Sequence, residues 1–120
     1  MGSSIKTKYE LKDGKPVIVR LPEVGFIDDK AGKPVGINKF IGWRPLAAFG
    51  NSDGDLEMLQ YAREGQRPFL ALLLHHDDVE REYDYLTGAE EVMAVATQSP
   101  WLVVSIQRDF ATLFPYEVGD

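Results

Sequence analysis

Apolar residues gather in three runs: Leu-Ala-Ala-Phe at 46–49, Pro-Phe-Leu-Ala-Leu-Leu-Leu at 68–74, and Trp-Leu-Val-Val-Ser-Ile at 101–106. Each is too short for a helix and lacks the polar alternation of a half-exposed strand, so each reads as a strand buried on both faces. Between the first two, Leu56, Met58, Leu59 and Ala62 mark one side of a helix that Gly65 stops. Strand, helix and strand in that order predict parallel neighbours joined by a right-handed crossover. Asp77 and Glu80 have the spacing of a capping box, with Val79, Tyr83 and Leu86 on one helical face beyond it. Residues 89–98 are rich in good helix formers and precede the third run. Apolar strands alternating with amphipathic helices predict an α/β fold with a Rossmann-like, doubly wound, mostly parallel sheet.

Upstream the pattern changes. Asp13-Gly14 separates two β-prone runs within residues 8–22, a strong short-range hairpin signal. Pro16 lacks a donor and belongs at a strand start or an edge, which makes this hairpin peripheral to the main sheet. Residues 21–27 read as a short extended piece and residues 28–34 as a loop rich in breakers. Pro34 suits the first position of a short helix with Val35, Ile37, Phe40 and Ile41 on its apolar face and Gly42 closing it. Residues 109–114 read as a last helical turn ended by Pro115. No linker divides the chain, so a single domain over residues 1–120 is expected, with a hairpin at 8–22 and a Rossmann-like portion at 26–120.

Composition narrows the function. The 120 residues are 44% hydrophobic, enough for one core. A net charge of −6, with the Lys and Arg residues scattered, argues against a nucleic-acid partner, which calls for a basic patch. The absence of cysteine removes disulfides, zinc–thiolate sites and thiol nucleophiles, and suits a cytoplasmic location. The longest apolar run is about a third of a membrane span, so no membrane partner is expected.

In doubly wound sheets ligands bind at the carboxyl ends of the strands. That rule selects Asn51, Ser52, Asp53 and Asp55 after the first strand, His75 to Asp78 after the second, and Gln107 to Asp109 after the third. Oxygen donors on a tight turn suit Mg²⁺, which takes one or two carboxylates plus water and substrate phosphate. A calcium EF-hand fails, because Leu56 stands where its sixth-position glycine is needed and Ala62 where its bidentate glutamate is needed. The alternative is structural, with Asp53 or Asp55 capping the following helix. The adjacent His75 and His76 point to opposite faces of a strand, which favours strand-end or capping roles over a shared metal. Lys33, at a helix entrance, gains nothing from the helix dipole; it suits either a bound anion or plain solvent.

Lys33, then an apolar strand, then Gly50-Asn-Ser-Asp-Gly-Asp-Leu-Glu-Met58 resembles the last two motifs of the haloacid dehalogenase (HAD) superfamily, in its phosphoserine-phosphatase-like branch. The resemblance covers approximately residue 28 to the C-terminus. It implies a Mg²⁺-dependent phosphohydrolase on a Rossmann-like sheet acting on a phosphorylated small molecule. Lys33 would then steady the phosphoryl group, Asp55 would be the main metal-side carboxylate, Asn51 would stand where many members have aspartate, and Asp53 would be an accessory acid. Lys30 is close enough to be the motif lysine instead. The family's Asp-x-Asp-x-Thr segment, which carries nucleophile and acid/base, is missing from this sequence. The resemblance therefore implies a truncated domain that keeps a phosphate and Mg²⁺ half-site, is not catalytic alone, and leaves the edge at residues 46–49 unpaired. An unpaired apolar edge invites association, so a homodimer or a completing polypeptide is expected. The reading from a different class is a non-catalytic module that oligomerises or binds a partner through that edge.

Overall fold

A computed structural model describes residues 2–117. Two sheets are present among them. The first is the antiparallel hairpin of β1 (Ser4–Lys12) and β2 (Lys15–Phe26). Its turn places Asp13 at φ 53° and Gly14 at φ 73°, the paired left-handed conformation that Asp-Gly favours. The hairpin is longer than the expected 8–22, because the extended piece at 21–27 continues the second strand as far as Phe26. At its base the Asp28 N–H donates to Ser3 Oγ at 2.9 Å, and Phe26 meets Phe40 edge to face at 6.4 Å.

The second sheet is parallel, in the order β3 (Ala47–Gly50), β4 (Leu70–His75), β5 (Leu102–Ser105). Ala48 pairs with Ala71 and Leu73 with Val103, so these side chains share one face. Upon that face pack α2 (Leu56–Arg63), through Leu59 and Ala62, and α3 (Glu90–Gln98), through Val92 and Ala96; Trp101 closes the core. The small residues Ala48, Ala71, Ala62 and Ala96 let helix and sheet approach closely while Leu59, Leu73 and Val92 fill the space between. Helix α1 (Gly32–Phe40) lies against α2 and ends at Gly42, φ 78°, whose N–H donates to Ile37 O. It begins two residues before the expected Pro34.

Three expectations give way. The run at 46–49 is buried on one face only: Ala48 is buried, while Phe49 is 61% exposed. Phe49 and Leu72 pair across the two strands, as do Leu74 and Val104, so these four share the second face, which no helix covers among the described residues. The sheet is therefore wound on one side. The expected helix after Asp77 is absent, and residues 76–89 form turns and irregular loop. The Asp77 carboxylate is drawn away from its own segment by the Ser105 hydroxyl and the Gln107 N–H, at 2.6 and 3.0 Å, so it caps no helix of its own segment. Asp78 instead accepts the amides of Glu80 and Arg81 and pairs with the Arg81 guanidinium, which also donates to Ile106 O and Phe110 O. Finally, the C-terminal helical turn comes earlier than expected, at α4 (Ile106–Asp109), and Pro115 opens a 3-10 turn (Pro115–Glu117) rather than ending a helix. Among the described residues no helix is long and apolar enough to cross a membrane.

Candidate functional site

The loop after β3 turns sharply because Gly50 carries no side chain. A Cβ there would lie 2.5 Å from the Asp55 Cβ, so only glycine lets the loop fold back. Asp55 occupies that space. Its Oδ2 accepts the Asn51 N–H at 3.0 Å and the Ser52 hydroxyl at 3.3 Å, which closes the turn on itself. Its Oδ1 lies 3.2 Å from Lys33 Nζ on the second residue of α1. Both side chains are mostly buried, 12% exposed for Asp55 and 27% for Lys33. The segment before α1 is held to the loop by the Lys30 N–H, which donates to Gly54 O at 3.1 Å. Lys30 thus reaches the loop through its backbone, and Lys33 brings the ammonium.

Asp53 faces elsewhere. Its Oδ1 accepts the Val92 N–H at 2.8 Å, and its own N–H donates to Gly88 O at 2.7 Å. Val92 is the third residue of α3, so Asp53 satisfies, from a distant part of the chain, the amide that an N-cap side chain usually takes. Neither Asp53 nor Asp55 caps α2, whose first turn receives no side-chain hydrogen bond. The loop carboxylates are divided: one faces Lys33, the other anchors α3.

A second polar chain runs into Asn51 from β4. His76 Nδ1 is 2.6 Å from Glu82 Oε1, and His76 Nε2 is 3.3 Å from Asn51 Nδ2. Glu82 accepting from Nδ1–H fixes the tautomer that lets Nε2 accept from the Asn51 amide. The ring stacks on Tyr85, centroids 4.6 Å apart. Sequence reasoning treated His76 as a strand-end residue and did not connect it with Asn51. The only signal available was that both follow apolar runs, and so sit at neighbouring carboxyl ends of a parallel sheet. His75 is apart, its Nδ1 3.5 Å from Asp77 Oδ2.

The third strand end is rigid rather than open. Ser105, at the end of β5, accepts the Arg108 N–H through its hydroxyl and donates its own N–H to Asp109. Arg108 and the Ser105 N–H hold the Asp109 carboxyl down at about 2, and Arg81 with the amides of its turn holds Asp78 below the usual carboxylate range. Burial opposes ionisation of Asp77, but the Gln107 N–H and the Ser105 hydroxyl outweigh it and lower that carboxyl too. These acids brace the β4 and β5 ends.

The site that remains is Lys33, Asp55, Ser52 and Asn51, with His76 behind the amide. Among the described residues no three His, Asp or Glu side chains converge as a metal cluster. Mg²⁺ here would take Asp55 and the Asn51 side-chain oxygen, and the rest of its shell from water, phosphate or another chain. An ammonium beside a carboxylate and a hydroxyl can also bind a tetrahedral oxyanion, the lysine acting as a point charge. No protein-family model and no curated protein matches the sequence.

Proposed function

We propose that this chain carries the phosphate and Mg²⁺ half-site of a HAD-like phosphohydrolase, on a Rossmann-like sheet, and does not turn over phosphate esters by itself. The observation that carries the reading is the contact between Lys33 Nζ and Asp55 Oδ1, at the carboxyl end of a strand whose outer edge is unpaired among the described residues. Lys33 holds a phosphoryl oxygen, and Asp55 with Asn51 holds the metal, whose charge offsets that of the phosphate oxygens. Ser52 and the Asn51 N–H fix the Asp55 carboxylate so that it does not swing when the ligand arrives. A nucleophile would have to come from a strand added beside β3, in a second copy or a completing polypeptide. The ligand class is a small phosphate monoester.

The test is aryl phosphate hydrolysis with Mg²⁺ alongside titration with inorganic phosphate followed by ³¹P NMR. The chain binds phosphate in a Mg²⁺-dependent way, Asp55→Ala and Lys33→Ala each weaken it at least tenfold, and no variant hydrolyses the ester. Phosphate binding that is undetectable, or equal in the three proteins, overturns the reading. Turnover by the wild-type chain that Asp55→Ala abolishes overturns the half-site and makes the chain a complete enzyme.

The second reading, a non-catalytic module that oligomerises or recruits a partner, is favoured by β3 itself: a free edge with Phe49 exposed beside it. Absent phosphate binding together with strand addition at β3 supports it.

A further inference from the structure

Among the described residues two apolar surfaces have no cover, and they are of the same kind. One is the open face of the parallel sheet, centred on Phe49, Leu72 and Val104 and hollowed by a depression of about 480 Å³ that Phe110 rims. The other is one face of the hairpin, where Tyr9 pairs with Ile18 and Leu11 with Pro16. Tyr9, Leu11 and Ile18 are each about two-thirds exposed, so the hairpin does not cover the sheet of its own chain. A two-stranded hairpin is marginal in water unless something packs on it. This one stands off the body: the radius of gyration is 19.4 Å, where a compact chain of this length has about 14 Å.

Charge divides the same way. Residues 1–27 carry five basic and three acidic side chains, and the remainder carries eight and sixteen. The arm is net positive and the body strongly negative, so an arm is attracted to a body and repelled by another arm. The sizes are of the same order. At about 3.3 Å per residue and 4.8 Å between strands, the arm offers a footprint of roughly 300 Å² and the sheet face roughly 200 Å². An arm buries no more than the face it lies on, so in a reciprocal exchange each protomer contributes about 400 Å² before side-chain relief is counted. That is about two-thirds of the ~600 Å² per partner at the lower end of stable interfaces.

We infer that two copies of this chain form a twofold dimer by exchanging hairpin arms, the Tyr9–Leu11–Ile18 face of each lying on the Phe49–Leu72–Val104 face of the other. The contact is sheet on sheet, and the twofold axis closes it without leaving an arm to propagate a fibre. The β3 edge stays free, so the dimer neither requires nor supplies the strand that would complete the phosphate site.

Sedimentation equilibrium between 1 and 100 µM tests it, with variants at exposed positions. The wild type sediments at twice 13.5 kDa. Tyr9→Asp, which sets an acid on the arm against the acidic body, and Phe49→Lys, which sets a cation on the face against the basic arm, each weaken the dimer at least tenfold. Mixed together they recover it, because the mixture holds one unaltered arm–face contact and one charge-swapped contact. A monomeric wild type at 100 µM overturns the exchange. So does a Phe49→Lys chain that still dimerises, the outcome of arm–arm pairing, and a Tyr9→Asp chain that still dimerises, the outcome of face–face or edge pairing. Phosphate titration of Tyr9→Asp, whose substitution lies on the arm and away from the loop at 50–55, reads the half-site independently of the dimer, so the two proposals fail separately.

Discussion

Replacing Asp53 by alanine removes the hydrogen bond that ties the β3 loop to α3. The Val92 N–H loses its 2.8 Å partner, and Val92 is fully buried, so water does not readily take the place of the carboxylate. Loss of an N-cap acceptor costs about 1 kcal/mol, up to about 2 where the amide stays desolvated. The charge adds to this: Glu90 and Glu91 occupy the same first turn, but Asp53 is the carboxylate bonded to its amide, and favourable charge at a helix N-terminus is worth about 0.3–1 kcal/mol. The sum is about 2 kcal/mol, or a fall in Tm of roughly 8 °C for a domain of this size. Differential scanning calorimetry reads it. Asp53→Asn keeps an acceptor oxygen and loses only the charge, so it falls by less than half as much. Asp55→Ala, two residues away, should act chiefly on phosphate binding. An Asp53→Ala chain that melts within 1 °C of wild type, or that loses phosphate affinity as fully as Asp55→Ala, refutes this division of the two carboxylates.

Two further outcomes follow from the same loop and from the β5 end. Gly50→Ala puts a Cβ 2.5 Å from that of Asp55, which forces the loop open; overpacking of this kind costs about 1–3 kcal/mol and the displaced Asp55 takes phosphate binding with it, as calorimetry and ³¹P titration will show. The lowered carboxyls of Asp78, Asp77 and Asp109 set the acid limit of the fold. A native pKa below the unfolded value stabilises the fold above that unfolded value, near 4, and the benefit is lost as pH falls toward the native one, about 2 for Asp109. Tm should therefore be nearly level from pH 7 to 5 and fall between about pH 4 and 2, and a Tm that rises on acidification is the contrary result.

Much of the backbone was legible because its signals are local. Asp13-Gly14 announces its turn through a conformation that few other dipeptides accept, and Gly42 ends α1 for the same reason. The three apolar runs became the three parallel strands. What the runs could not say is whether both faces are covered: Leu72 and Leu73 are chemically identical, yet only Leu73 is buried under α2 and α3. The capping-box spacing at Asp77 and Glu80 misled because Asp77 had better partners in Ser105 and Gln107, almost thirty residues on. Lys33 and Asp55 were each marked as candidates, but that their side chains meet is seen only in the fold. The Asp53 anchor and the Glu82–His76–Asn51 chain were not legible either, since both join segments that only the tertiary fold brings together.

The one-sided sheet also changes how this protein should be handled at the bench. Environment-sensitive dyes such as ANS bind accessible apolar surface, and their fluorescence is commonly taken as a sign of a molten state. Here the native monomer presents such a surface by construction of its fold, so a bright dye signal at low protein concentration would coexist with intact packing. The near-ultraviolet circular dichroism of Trp101, enclosed by the core at 8% exposure, is the better witness of whether the chain is folded.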